Sequence, residues 1–163
     1  MQEINQYTLE DQKRIYLREQ VAEHNKSLAK TAKASGVINF ANFVDYWYLW
    51  LYGMRNREIL KNKWLDSKAS LMDNVWSEEL AANLFRATQA EAKIQRESIR
   101  WQEKAQQAHL EIGHEVRATI KKVWWTMPED LPATDHIKEA KRRIKWSQWT
   151  FENPLKTVIK KSK

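Results

Sequence analysis

Apolar positions recur at helical spacing along most of the chain. Leu17, Val21, Leu28 and Ala32 follow at intervals of four, seven and four residues, on one face of a helix. That helix is predicted to begin at Thr8, with Asp11 three residues on as a capping-box variant, and to end at Ser35-Gly36. The segment from Asn39 through Phe40, Phe43, Val44, Tyr46, Trp47, Tyr48 and Leu49 to Tyr52-Gly53 is nearly apolar all round, which predicts the central core element. Two shorter helices are expected over Asn56–Lys63 and Ser67–Asn74. Ser77 is placed as an N-cap, with Glu78 and Glu79 in the first turn, where the helix dipole favours anions. Leu80, Leu84, Ala87 and Glu91 then mark one stripe reaching about Arg100. A further long helix runs from about Glu103 to Val123 on Ala105, Ala108, Ile112, Val116, Ile120 and Val123. The two prolines of Met127–Pro132 demand a loop. A last amphipathic helix is expected around His136–Lys145, through Ile137, Ala140 and Ile144. No strand-period alternation stands out.

The predicted fold is therefore all-α: a compact multi-helix domain with two long helices, at about 77–100 and 103–123, and a basic C-terminal tail. Residues 1–145 are expected to form the helical domain and 146–163 a flexible tail. A chain of 163 residues suits one domain of about 150, able to bury roughly two-thirds of its unfolded surface.

Charge changes this picture at one end only. Lys138, Lys141, Arg142, Arg143, Lys145, Lys156, Lys160, Lys161 and Lys163 face only Glu139 and Glu152 in residues 136–163, so this segment matches the whole net charge of +7. A basic tail on a neutral body is either a phosphate-contacting arm or a solvated terminus. No apolar run approaches the roughly 20 residues of a membrane helix, and nothing near Met1 reads as a signal peptide. With 0 cysteines there is no disulfide framework, thiolate zinc site or cysteine nucleophile. These features read as an intracellular, cytoplasmic protein with no membrane partner.

Candidate chemistry is sparse. His24, His109, His114 and His136 form no metal-ligand spacing, and His109 and His114, five apart, lie on different faces of a helix. No HExxH, glycine-rich phosphate loop or GxSxG occurs. No enzyme, cofactor, metal or small-molecule substrate is expected. The informative stretch is Glu79–Gln89, where Asn83, Arg86, Gln89 and Lys93 form a polar strip beside Leu80, Leu84 and Ala87. Such a strip serves either a partner or an internal network.

Several segments carry a resemblance. Glu79–Gln89 (ELAANLFRATQ), Gln107–Ile120 (QAHLEIGHEVRATI), Thr126–Pro132 (TMPEDLP), the Leu51-Tyr52-Gly53 turn and Asp11–Leu28 resemble, in order, the DNA-damage-inducible protein D family of bacteria. The likeness runs from about Thr8 to Lys145 and falls on the family's helical C-terminal half. Family members normally carry ahead of it a domain similar to those of baculovirus repeat proteins and phage antirepressors, and this chain begins just before the helical half.

The resemblance implies a non-enzymatic SOS-response protein acting on the RecA recombinase filament on single-stranded DNA. On the matching motifs it points to Asn83, Arg86, Thr88, Gln89, His109 and Arg117 as partner-binding residues. Two alternatives stand beside it. One is direct nucleic-acid binding through Lys138, Lys141, Arg142, Arg143 and Lys145, with Trp146, Trp149 and Phe151 available for base stacking. The other is the partner half of a split antirepressor-like regulator.

One compositional feature remains. The chain has 3 glycines and 9 tryptophans, whereas ordinary usage of about 7% would give about 11 glycines. Trp64, Trp76 and Trp124-Trp125 sit where turn chemistry asks for glycine, and proteins resembling this chain tend to have glycine around Trp47, Trp50, Trp124 and Trp125. Replacing these six together with Trp101 and Trp146 restores ordinary glycine usage. The reading is a gene that encodes glycine by UGA, translated with UGA as tryptophan; the alternative is genuine aromatic enrichment. If the glycine reading holds, these indoles should sit exposed, at helix ends, or at positive φ.

Overall fold

The computed structural model describes residues 2–123 and 126–152. They form helices α1 (Gln2–Ala34), α2 (Phe40–Tyr52), α3 (Asn56–Asn62), α4 (Ser77–Arg96), α5 (Gln102–Val123) and α6 (Ile137–Glu152), with a 3-10 turn at Leu71–Asp73. No strand occurs among the described residues. The all-α expectation and the two long helices hold.

Several boundaries differ, each for a physical reason. α1 starts at Gln2 rather than Thr8. Asp11 caps nothing there; it is buried and paired with Arg143 of α6. Only Leu71–Asp73 of the predicted Ser67–Asn74 helix is helical. α4 stops at Arg96 because the chain turns at Ser98 (φ 47°) and lays Ile99 back against the core. α6 passes straight through the expected boundary at 145 and runs to Glu152. Residues 153–163 lie outside the described residues.

α1 is the spine. Its 33 residues span about 50 Å at roughly 1.5 Å per residue. α4 and α6 both pack along it, α2 packs on α5, and α5 also meets α4. Small residues let the helices approach: Ala87 and Ala90 on α4, and Ala105 and Ala108 on α5, are all buried. At Gly113 of α5 an added Cβ would lie 2.5 Å from the Trp50 Cβ, so the α2–α5 crossing excludes any side chain there.

The core has two parts. One gathers Val21, Leu51, Tyr52, Ile59, Leu60, Leu80, Val116 and Ile120; the other gathers Leu28, Ala32, Phe43, Trp47, Ala87, Ile94 and Ala108. The apolar α2 contributes to both, in line with its predicted central place.

Polar side chains fasten the open end of this packing. Arg14, 1% exposed, donates from Nε to the Val75 carbonyl (3.1 Å), from Nη1 to the Asp135 carboxylate (2.9 Å) and from Nη2 to the Asp135 carbonyl (2.6 Å). One turn earlier, Asp11 accepts two hydrogen bonds from Arg143 at 2.6 and 2.7 Å, and Arg143 also donates to Asp135. The N-cap of α4 is Trp76, which contributes no capping side chain. Ser77, placed as the cap by sequence, instead opens the helix. Its N–H and hydroxyl both donate to the carboxylate of Glu10 on α1 (2.9 and 2.8 Å).

Replacing Arg14 by Met keeps the stem but strands the Val75 and Asp135 carbonyls and leaves the Asp135 carboxylate with Arg143 alone of its two guanidinium partners. Arg14→Met should destabilise the domain by about 2–4 kcal/mol, read as a shift of the urea midpoint at constant m-value. A change under about 0.5 kcal/mol, the ordinary range for an exposed site, would show that the guanidinium is not the tie described here.

Candidate functional site

The polar strip of α4 divides between core and surface. Asn83 points inward and donates to the Tyr52 hydroxyl (2.8 Å) and to the Glu79 carbonyl (2.9 Å). Arg86 is buried, with its guanidinium carbon 4.8 Å from the centre of the Trp47 ring. Its Nε and Nη1 have no hydrogen-bond partner among the described residues. Burial without a counter-charge lowers its pKa to about 10. Thr88 and Gln89 lie on the outer side; the Thr88 hydroxyl bonds back to the Phe85 carbonyl at 2.8 Å.

His109 comes from α5 to meet this cluster. It is fully buried, stacked on Trp47 (5.3 Å between centroids) and edge-on to Phe43 (4.8 Å). Burial, with the Arg86 charge beside it, holds its pKa well below the ordinary histidine value, so the ring is neutral. Both ring nitrogens lack partners among the described residues. Arg117 serves as a strut. It donates to the Leu51 carbonyl at the end of α2 (2.7 Å) and grips the Glu129 carboxylate with both terminal nitrogens. That grip docks the Thr126–Pro132 loop beside Gly53, whose left-handed backbone (φ 71°) ends α2.

The structure therefore brings Asn83, Arg86 and His109 together inside the protein and sets Arg117 between α2 and the loop. Only Thr88 and Gln89 of the partner-binding candidates face outward. Gln89 lines a groove of about 240 Å³ with Phe85, Ile112, Glu115, Val116 and Thr119. Phe85 is 57% exposed there, a large apolar side chain on the outer face of a helix.

One buried pair escaped the sequence reading. Lys63 donates to the Glu79 carboxylate (3.2 Å) and to the carbonyls of Pro128 and Leu131 (2.8 and 2.6 Å). Burial raises the pKa of Glu79, and the Lys63 charge opposes that rise. With Tyr52 and Asn83, the pair forms a polar line through the core. In the sequence Lys63 only closes the expected Asn56–Lys63 helix, and no spacing betrays its inward turn.

The basic residues of α6 also divide. Arg143 is committed to Asp11 and Asp135, Lys141 pairs with Glu19 (3.2 Å), and Arg142 pairs with Glu139 (2.7 Å). Lys138 and Lys145 are exposed, with no ion pair among the described residues. On the same helix Trp146 and Trp149 stack at 5.2 Å, and Phe151 projects into solvent. His136 accepts a hydrogen bond from the Lys138 N–H (3.1 Å) and so caps α6. No cluster of three metal-ligating side chains occurs among the described residues, and no helix there is long and apolar enough to cross a membrane.

The model of the DinD C-terminal domain matches residues 8–140. DNA damage-inducible protein D of Escherichia coli (strain K12) is 40% identical over 141 residues, covering 83% of this chain and 52% of that protein. The chain thus spans about half the length of the curated relative it matches. No solved structure matches.

The buried neutral ring makes a pH-dependent contribution to stability. An unfolded His109 binds a proton below about pH 6.5 and the folded one does not, so its contribution is complete above that value and is lost as pH falls. The slope is up to about 1.4 kcal/mol per pH unit. Urea unfolding at pH 7 and pH 5 should show a loss in the parent chain that is clearly smaller in His109→Gln. Equal losses would place the titration elsewhere.

Proposed function

The chain belongs to the DinD C-terminal domain family, and from that membership we propose that it is a non-enzymatic regulator in the bacterial DNA damage response, acting on the RecA-type recombinase filament on single-stranded DNA. The observation that carries this reading is the match across residues 8–140. We place the contact on the groove between α4 and α5. All six of its lining residues fall within the two long motifs, Glu79–Gln89 and Gln107–Ile120, yet none of them makes a core ion pair. The inward residues of those motifs build the support, and Phe85, Gln89 and Thr119 are left for a partner. An exposed aromatic rimmed by polar side chains is the composition expected of an interface anchor.

A second reading rests on α6. Lys138 and Lys145, with no ion pair among the described residues, and the exposed Trp146 and Phe151 nearby would suit direct contact with single-stranded nucleic acid. Arg143 does not belong to that face, because its removal would loosen α6 from α1.

Co-sedimentation with recombinase alone, single-stranded DNA alone and the preformed filament separates these readings. Under the first, the chain sediments with the filament, and Phe85→Ala with Gln89→Ala weakens that binding at least tenfold, with the melting temperature nearly unchanged. Under the second, the chain binds DNA without recombinase. Lys138→Glu with Lys145→Glu then weakens it and flattens the salt slope by roughly 0.7 per lost contact. Binding to none of the three baits would overturn both.

A further inference from the structure

Three residues other than glycine have positive φ among the described residues: Trp64 (56°), Ser98 (47°) and Trp101 (83°). Two of the three are tryptophan, a bulky residue for which this backbone region is a genuine outlier.

Three helices end in the same way. After α1, the Val37 N–H donates to the Ala32 carbonyl (3.0 Å) and the Gly36 N–H to the Lys33 carbonyl (3.1 Å). After α3, Leu65 donates to Leu60 (2.9 Å) and Trp64 to Lys61 (3.1 Å). After α4, Ile99 donates to Ile94 (3.0 Å) and Ser98 to Gln95 (3.2 Å). This paired six-to-one and five-to-two bonding requires a left-handed residue just past the helix, ordinarily glycine. α1 has Gly36 there, and α4 has the small, polar Ser98. α3 has Trp64, whose side chain is 96% exposed and gains almost nothing from burial.

Trp101 occupies the opposite kind of position. The Ala105 N–H donates to its carbonyl (3.1 Å), which makes it the residue that opens α5. Glycine is preferred to large apolar residues at such N-cap positions, and at φ 83° it alone is free of steric cost. Its own N–H donates to the Ser35 carbonyl (2.6 Å). A Cβ on Gly36 would stand 3.7 Å from both its nitrogen and its Cα, so the two turns pack backbone on backbone. The Trp101 side chain is 73% exposed.

We infer that residues 64 and 101 are glycine in the protein as its own cell makes it, encoded by UGA in a code that reads UGA as glycine. Tryptophan stands at these positions because the same codon has been read as tryptophan. The other six positions named from composition do not carry this inference. Trp47 is buried and stacked on His109, Trp50 is half-buried inside α2, Trp76 has ordinary extended backbone, and Trp146 lies inside α6. Trp124 and Trp125 lie outside the described residues. Each of these follows its own codon.

The nucleotide sequence of the gene tests this directly. UGA is expected at codons 64 and 101, and UGG at either overturns the inference for that position. A second test needs no knowledge of the gene. In the full chain, Trp64→Gly and Trp101→Gly should each raise the melting temperature by about 2–6 °C. Trp149→Gly, within α6 and outside the proposed set, should lower it. An unchanged or lower melting temperature in Trp64→Gly or Trp101→Gly overturns the inference for that position.

Discussion

The arrangement of this domain depends on the acceptors that the buried guanidinium of Arg14 finds, because a buried charge is costly unless it is hydrogen-bonded and paired. Its three contacts reach Val75, just before α4, and both the carboxylate and carbonyl of Asp135, just before α6. Those partners lie 61 and 121 residues away along the chain. Two connections without long regular structure are thus pinned to one turn of α1. Hydrogen bonds to charged groups are worth roughly twice neutral ones, and here one of them reaches the backbone of Val75, a residue of the core. Asp11 and Arg143 extend the tie to α6, and Glu10 extends it to α4. Lys63 does the same from α3, holding the Pro128–Leu131 loop through two carbonyls.

This division explains what could be read from the sequence. Apolar periodicity marks buried stripes, and it located the helices well wherever Leu, Val, Ile and Ala set the pattern. It is silent about which polar residues turn inward. Asp11 looked like a capping residue because its partner Arg143 lies 132 residues away, beyond any local rule. Arg143 looked like one of nine interchangeable cations for the same reason. Lys63 and Glu79 carry no signature either, since a Lys at a helix end and a Glu in a first turn satisfy helix electrostatics in solvent equally well. The α4 strip was half legible: the spacing of Asn83 and Arg86 showed a shared face, and burial against Tyr52 and Trp47 decided which way that face turned.

The domain's most polar interior therefore serves cohesion, and the groove proposed for partner contact lies on the outside of the same motifs. Asn83, Arg86 and His109 form one side of α4 and α5, and Phe85, Gln89 and Ile112 form the other. A segment can look alike among relatives for either reason, and only the three-dimensional arrangement assigns each residue to its side. The cation count of the C-terminal helix needs the same correction, because three of its five candidate arms are held by carboxylates in ion pairs.

The carboxylate of Glu10 on the first N–H of α4 has a consequence for how the domain opens. α4 supplies no cap of its own at Trp76, so its first turn is complete only while α1 lies against it. Separation of that part of α1 would free the Ser77 amide and hydroxyl together. The N-terminal turns of α1 and the first turn of α4 are thus expected to open as one cooperative unit, although 67 residues separate Glu10 from Ser77. Amide hydrogens at the start of α4 are expected to exchange with solvent on the clock of the chain's N-terminal helix, not on that of their own.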